Sequence, residues 1–122
     1  MFLKTQITAI GPDVADLIEG GVLILFADGA PPELAEVSVM HKVDHVDKAQ
    51  PKAGASIKIG VLDAKITAMG GYAWQKVIDI GHVVINFNNA AAAERPGEIC
   101  ATVLDAADLM ANLKPGQTIT IS

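Results

Sequence analysis

Ile7-Thr8-Ala9-Ile10-Gly11 returns further along the chain as Ile66-Thr67-Ala68-Met69-Gly70. Both copies alternate apolar and polar side chains, the period of a strand with one buried face. Three further matches follow in the same order. Leu23-Ile24-Leu25-Phe26 corresponds to Val84-Ile85-Asn86-Phe87, and Ala30-Pro31-Pro32-Glu33 to Ala91-Ala92-Ala93-Glu94. Lys52-Ala53-Gly54-Ala55-Ser56-Ile57-Lys58-Ile59 corresponds to Lys114-Pro115-Gly116-Gln117-Thr118-Ile119-Thr120-Ile121. The spacing drifts from 59 residues (Ile7 to Ile66) through 61 (Leu23 to Val84) to 62 (Gly54 to Gly116), as short loop insertions produce. Ordered self-similarity of this kind indicates a duplicated unit, covering roughly residues 4–60 and 63–122.

Each unit reads strand, short helix, strand, loop, strand, loop, strand. Phe2 to Ile10 is expected as a strand closed by Gly11. Pro12-Asp13 then opens a short helix bearing Val14, Leu17 and Ile18, which Gly20-Gly21 stops. Val22 to Phe26 is a buried strand, and Asp28 to Glu33, with two prolines and a glycine, is expected to be irregular. A strand over Val37 to Val43 follows, then a polar loop from Asp44 to Ala53 and a short strand at Ser56 to Ile59. In the second unit Tyr72 to Ile80 is the short helix, with Ala73, Val77 and Ile80 on its inner face. Neither unit has enough apolar surface to stand alone. The expected fold is therefore mainly β, a small closed β-barrel of two duplicated halves with two short helices, forming one domain over 1–122.

Composition limits the function classes. The chain has 122 residues, is 51% hydrophobic and 19% charged, and has a formal net charge of −5. Mean hydropathy is +0.38, yet the longest apolar run, around Val22 to Phe26, is the length of a strand and far short of a membrane-spanning helix. Met1 leads directly into an alternating segment, so no signal peptide is expected. A single cysteine, Cys100, excludes an internal disulfide and fits a reducing cytoplasm. An acidic pI of about 4.9, with no cluster of Lys or Arg, argues against nucleic acid as a partner.

The residue that breaks the pattern is His41. In Val37-Ser38-Val39-Met40-His41-Lys42-Val43 it falls in phase with three valines. At the offset of the last strand its counterpart is Val103, and Val37 and Val39 match Ile99 and Ala101. One half has therefore placed an imidazole where the other keeps an apolar residue. Burying an imidazole without partners is unfavourable, so the exchange demands a reason, either a satisfied core histidine or a group held for chemistry. The valines are expected to form an apolar rim around it. His82, after Gly81, also breaks the symmetry, whereas His45, among Asp44, Asp47 and Lys48, reads as solvated.

Metal chemistry has little support in the residues. His41 and His45 share a helix face only if the segment is helical; on a strand the same spacing separates them by roughly 13 Å. No CxxC, HExxH or glycine-rich phosphate loop occurs, and no serine lies in a nucleophile-elbow context. A metal-dependent barrel enzyme using His41 and His82 stays open at this point. So does a non-catalytic binding or regulatory module.

Taken in order, Ile7-Thr8-x-Ile10-Gly11, Leu23-Ile24-x-Phe26, Ala30-Pro31-x-Glu33-Leu34, the strand ending in His41, Ile66-Thr67-Ala68-x-Gly70 and Ile80-Gly81-His82-Val83 resemble the glucitol/sorbitol-specific IIA component of the bacterial phosphotransferase system. The resemblance runs from Lys4 to Ile121. It implies a small cytoplasmic β-barrel that carries a phosphoryl group, with no metal or organic cofactor. It further implies that His41 accepts phosphate from phospho-HPr and passes it to the IIB domain of a membrane permease (IIB/IIC), with His82 in a supporting role. The chain itself would neither insert in the membrane nor touch the sugar.

Overall fold

Leu3, Thr5 and Ile7 are buried while Lys4, Gln6 and Thr8 are exposed, so the alternation of the first strand is the inside–outside alternation of a barrel wall. In the computed structural model, which describes residues 1–122, eight strands build that wall. They are β1 (Leu3–Ile10), β2 (Val22–Ala27), β3 (Val39–Val46), β4 (Ser56–Ile59), β5 (Leu62–Met69), β6 (Val83–Asn86), β7 (Glu98–Ala101) and β8 (Thr118–Ile121). The hydrogen-bonded order is β1-β3-β2-β6-β7-β5-β4-β8, and β8 closes on β1. Only β2–β3 and β6–β7 are parallel. Closure leaves no strand edge unpaired.

The pairing treats the two halves alike. A twofold relation through the Ile24–Val84 and Lys58–Thr120 pairs exchanges β1 with β5, β2 with β6, β3 with β7 and β4 with β8. The register also corrects two expectations. Leu25 is paired with Val39 as Ile85 is with Ile99, so the counterpart of Leu23 is Val83, not Val84. Ile7 faces His41, and its counterpart Ile66 faces Ala101. The residue equivalent to His41 is thus Ala101, not Val103, which is exposed beyond the end of β7. The expected offset of 62 holds for β4 and β8, but two of those positions enter only after β7. The glycines that close both copies of the repeated segment have a shared reason. A Cβ on Gly11 would run into the Ala35 and Glu36 carbonyls, and one on Gly70 into those of Arg95 and Pro96.

Four short helices are present rather than two: α1 (Val14–Glu19), α2 (Pro32–Ala35), α3 (Ala73–Ile80) and α4 (Ala106–Asn112). The single turn α2 lies partly in the expected loop, because Pro32 sits where its missing N–H costs no helical bond. The unexpected α4 is capped by Asp105, whose carboxylate accepts the Asp108 N–H at 3.1 Å, and it buries Leu109. The strand β3 differs at both ends from expectation. It starts at Val39, since the Val37 N–H is still bonded to Leu34 in the turn off α2. It runs on through Asp44 to Val46 because β1 continues to pair with it, Lys4 with His45 and Leu3 with Val46. A bulge at Asp44 absorbs the polar residue.

The core is one cluster inside the barrel, sealed by the helices. Leu3, Ile7, Leu23, Leu25, Val39, Ile57, Ile59, Ile66, Ile85, Ile99, Ile119 and Ile121 fill it from the wall. Val14 and Ile18 of α1 and Ala73, Trp74 and Val77 of α3 close it. Trp74 takes the inward place expected for Ile80, which is 46% exposed. Its indole N–H donates to the Asp47 carbonyl at 2.8 Å, and Phe2 packs edge-on at 6.5 Å between ring centroids. No helix is long and apolar enough to cross a membrane.

Candidate functional site

His41 lies inside the wall of β3, in register with Ile7 of β1 on one side and Ala27, the last residue of β2, on the other. It is 1% exposed. A buried imidazole needs partners for both ring nitrogens, and both are present. Nδ1 is 2.5 Å from the Thr5 hydroxyl, and Nε2 is 2.6 Å from the Gly81 carbonyl. Neither partner is near in sequence, being 36 and 40 residues away.

Thr5 reaches the imidazole because it occupies an inward position of β1 between Leu3 and Ile7, and it is fully buried. Its hydroxyl also lies 2.9 Å from the Lys42 carbonyl. Gly81 arrives from the opposite side. It ends α3 in the left-handed region at φ +62°, where its N–H bonds to Val77 and the following His82 N–H bonds to Lys76. This cap turns the chain into β6 and aims the Gly81 carbonyl across Ala27 at Nε2. A Cβ on Gly81 would come within 2.8 Å of the Ala27 Cβ, so the corner has no room for another residue.

These contacts constrain the protons. A carbonyl oxygen only accepts, so Nε2 carries hydrogen in this arrangement. The one hydroxyl hydrogen of Thr5 has two acceptors within reach, the Lys42 carbonyl and Nδ1. On a neutral ring it is donated to Nδ1. On a charged ring Nδ1–H donates to Oγ1, and Thr5 turns its hydrogen to Lys42. Burial pushes the His41 pKa below its ordinary value, partly opposed by the Gly81 carbonyl and by the nearby Asp28 carboxylate. Asp28 is exposed at the end of β2; it accepts a hydrogen bond from Thr8, and its N–H donates to the His41 carbonyl at 3.1 Å.

The other expected residues fall into place around this centre. His82 is half-buried, one residue from the carbonyl that caps His41. Its Nδ1–H donates to the Leu25 carbonyl at 3.0 Å, and its ring lies against Phe26 with centroids 4.8 Å apart. Its Nε2 has no partner in the protein, so one face of the site keeps an available imidazole nitrogen. His45 is exposed at the far end of β3, near the Met1 carbonyl, and is not part of the site. Of the three valines in phase with His41, Val39 is a core residue with no exposure, while Val37 and Val43 are half-buried. No group of three His, Cys, Asp or Glu is assembled, so no third ligand joins His41 and His82. Thr5 and Gly81 were missed in the sequence. The only trace of Thr5 is a hydroxyl in the inward phase Leu3-x-Thr5-x-Ile7, where the second half has Leu62-x-Ala64-x-Ile66.

Fold and site together define a small closed barrel that holds one buried, doubly hydrogen-bonded imidazole behind a glycine corner. The model of the PTS system glucitol/sorbitol-specific IIA component family matches residues 2–120, and the chain belongs to that family. It is 31% identical over 96 residues to the PTS system glucitol/sorbitol-specific EIIA components of Shigella flexneri and Escherichia coli K12, covering 79% of this chain and 77% of each relative. Its fold matches the crystal structure of a PTS system IIA component from Enterococcus faecalis V583, with a TM-score of 0.79 and 23% identity, covering 96% of this chain and 97% of that one. Family membership gives the chain a phosphoryl-carrier role in the sugar phosphotransferase system.

Proposed function

We propose that His41 is the residue that carries the phosphoryl group, received from the phosphohistidine of HPr and passed to the IIB domain of a glucitol/sorbitol permease. The observation that carries this reading is the buried imidazole itself, held at both nitrogens, by the Gly81 carbonyl on Nε2 and on Nδ1 by a hydroxyl that the other half of the barrel lacks. Transfer between imidazoles exchanges one N–P bond for another, so the protein has mainly to position the ring and stabilise charge. Burial supports it as well, since it keeps His41 neutral and therefore nucleophilic at cellular pH, and it limits water that would hydrolyse the product. His82, whose Nε2 is available beside the Gly81 corner, is read as a supporting donor to a phosphoryl oxygen. The reading places the protein in the cytoplasm, with no metal or cofactor in the transfer. We also read residues 4–60 and 63–122 as copies of one ancestral unit within a single domain, a reading that the shared pairing scheme supports.

The test is intact mass after incubation with phosphoenolpyruvate, enzyme I and HPr, for wild type and His41→Ala. An acid-labile gain of one phosphoryl group in wild type, absent from the folded variant, is the expected result. A gain that survives in His41→Ala would refute the assignment and move it to His82.

A further inference from the structure

The two nitrogens of His41 differ in what stands between them and the surface. Nδ1 faces Thr5, which is fully buried in the barrel wall. No partner protein can reach that nitrogen without dismantling β1. Nε2 has one hydrogen-bond partner, the carbonyl of Gly81, a buried residue that lies in the chain between the exposed Ile80 and the half-buried His82. Displacing one helix–strand corner uncovers it. From this asymmetry, and resting on the reading that His41 is the carrier, we propose that Thr5 is a positioning residue that makes Nε2 the atom to which the phosphoryl group is bound.

For Nε2 to act as a nucleophile it must lose its proton, and the ring must hold one on Nδ1 instead. When the Gly81 corner withdraws, water enters around the ring from that side; Nε2 gives its proton to this water and Nδ1 takes one from it, leaving the ring neutral. Thr5 receives the new Nδ1–H on Oγ1 and turns its own hydrogen to the Lys42 carbonyl, which already lies 2.9 Å away. The Nε2 lone pair then forms a bond to phosphorus as the donor's N–P bond breaks, its electron pair staying on the donor imidazole. The phosphorylated ring carries a positive charge shared with Nδ1–H. Thr5, with its hydrogen held elsewhere, presents only lone pairs to that charge. In the onward transfer the N–P electron pair returns to Nε2, the ring is neutral again, and the same proton stays on Nδ1 throughout.

A second observation is independent of this chemistry. The counterpart of Thr5 in the other half is Ala64, and that of His41 is Ala101; both are buried. The barrel therefore closes without a hydroxyl at this position. The threonine accompanies the imidazole.

The experiment compares wild type, Thr5→Val, Thr5→Ala and Thr5→Ser, phosphorylated from phosphoenolpyruvate through enzyme I and HPr. Rates come from intact mass, and the phosphorylated nitrogen from 31P and 15N spectra of protein with labelled histidine. Wild type and Thr5→Ser are expected to carry the phosphoryl group on Nε2. Thr5→Val is expected to react about 10- to 100-fold more slowly, the loss of one hydrogen bond to a charged ring. Its ring-nitrogen shifts before phosphorylation should differ from wild type, while Thr5→Ser restores both rate and shifts. If Thr5→Val does not fold, Thr5→Ala, which copies Ala64, carries the comparison. A folded valine or alanine variant with wild-type rate and shifts, or a wild-type phosphoryl group on Nδ1, overturns the role of Thr5 and leaves the carrier reading intact. Wild type that takes no phosphoryl group on His41 overturns both.

Discussion

Gly81 and Gly21 occupy equivalent corners in the two halves, yet they should respond differently to the same substitution. Both have positive φ, +62° and +79°. An alanine in the left-handed region costs about 1–2 kcal/mol, offset by roughly 0.4–1 kcal/mol from the stiffer unfolded chain. These contributions apply to Gly81→Ala and Gly21→Ala alike. The surroundings do not match. At Gly21 the nearest atom to an added Cβ is the Phe87 carbonyl oxygen at 3.6 Å, an ordinary contact, whereas at Gly81 the Ala27 Cβ lies at 2.8 Å. Relieving that overlap requires the corner or the end of β2 to shift, at about 1–3 kcal/mol. Gly81→Ala should therefore be less stable than Gly21→Ala by that amount, or about 4–12 °C in melting temperature for a domain of this size. Thermal and urea unfolding followed by circular dichroism measure the difference. The double variant Gly81→Ala/Ala27→Gly should recover most of it as a coupling energy in a double-mutant cycle. Equal stability of the two single variants, or no coupling with Ala27, would mean that the corner is not tightly packed against β2 and does not hold the Gly81 carbonyl on His41.

Two further outcomes follow from the same contacts. His41 has a folded pKa below its usual 6.5, so the unfolded chain binds more protons in the interval between the two values. Stability should therefore fall as pH drops from about 6.5 toward the lowered folded pKa, and His41→Gln should flatten that part of a urea-midpoint profile. Asp105→Ala removes the cap of α4 and should cost about 1 kcal/mol, read from the urea midpoint at unchanged slope, whereas Asp105→Asn should restore most of it.

The repeated Ile-Thr-Ala-x-Gly segments and the alternation around them were enough to specify strands, faces and a closed barrel of two like halves. These features are local: a period of two, a glycine after each strand, and an ordered set of matches are all written in neighbouring residues. The same logic singled out His41, because an imidazole in an apolar phase is visible without coordinates. The helix α4 is written in the sequence as well, in Asp105-Ala106-Ala107-Asp108 followed by Leu109, although the first half has no helix between β3 and β4 to match it.

What the site does with His41 was decided only by tertiary structure. Thr5 and Gly81 meet the ring from strands and corners 36 and 40 residues away. Their approach depends on how β1 and β3 are registered, including bulges on both sides of the pairing. A bulge shifts which residues face each other without leaving a periodic trace, so neither the partner of Nδ1 nor that of Nε2 could be counted from the sequence. The same register moved the counterpart of His41 from Val103 to Ala101. Closing the barrel is what gave one out-of-pattern histidine a partner at each ring nitrogen, a carbonyl on one and a buried hydroxyl on the other.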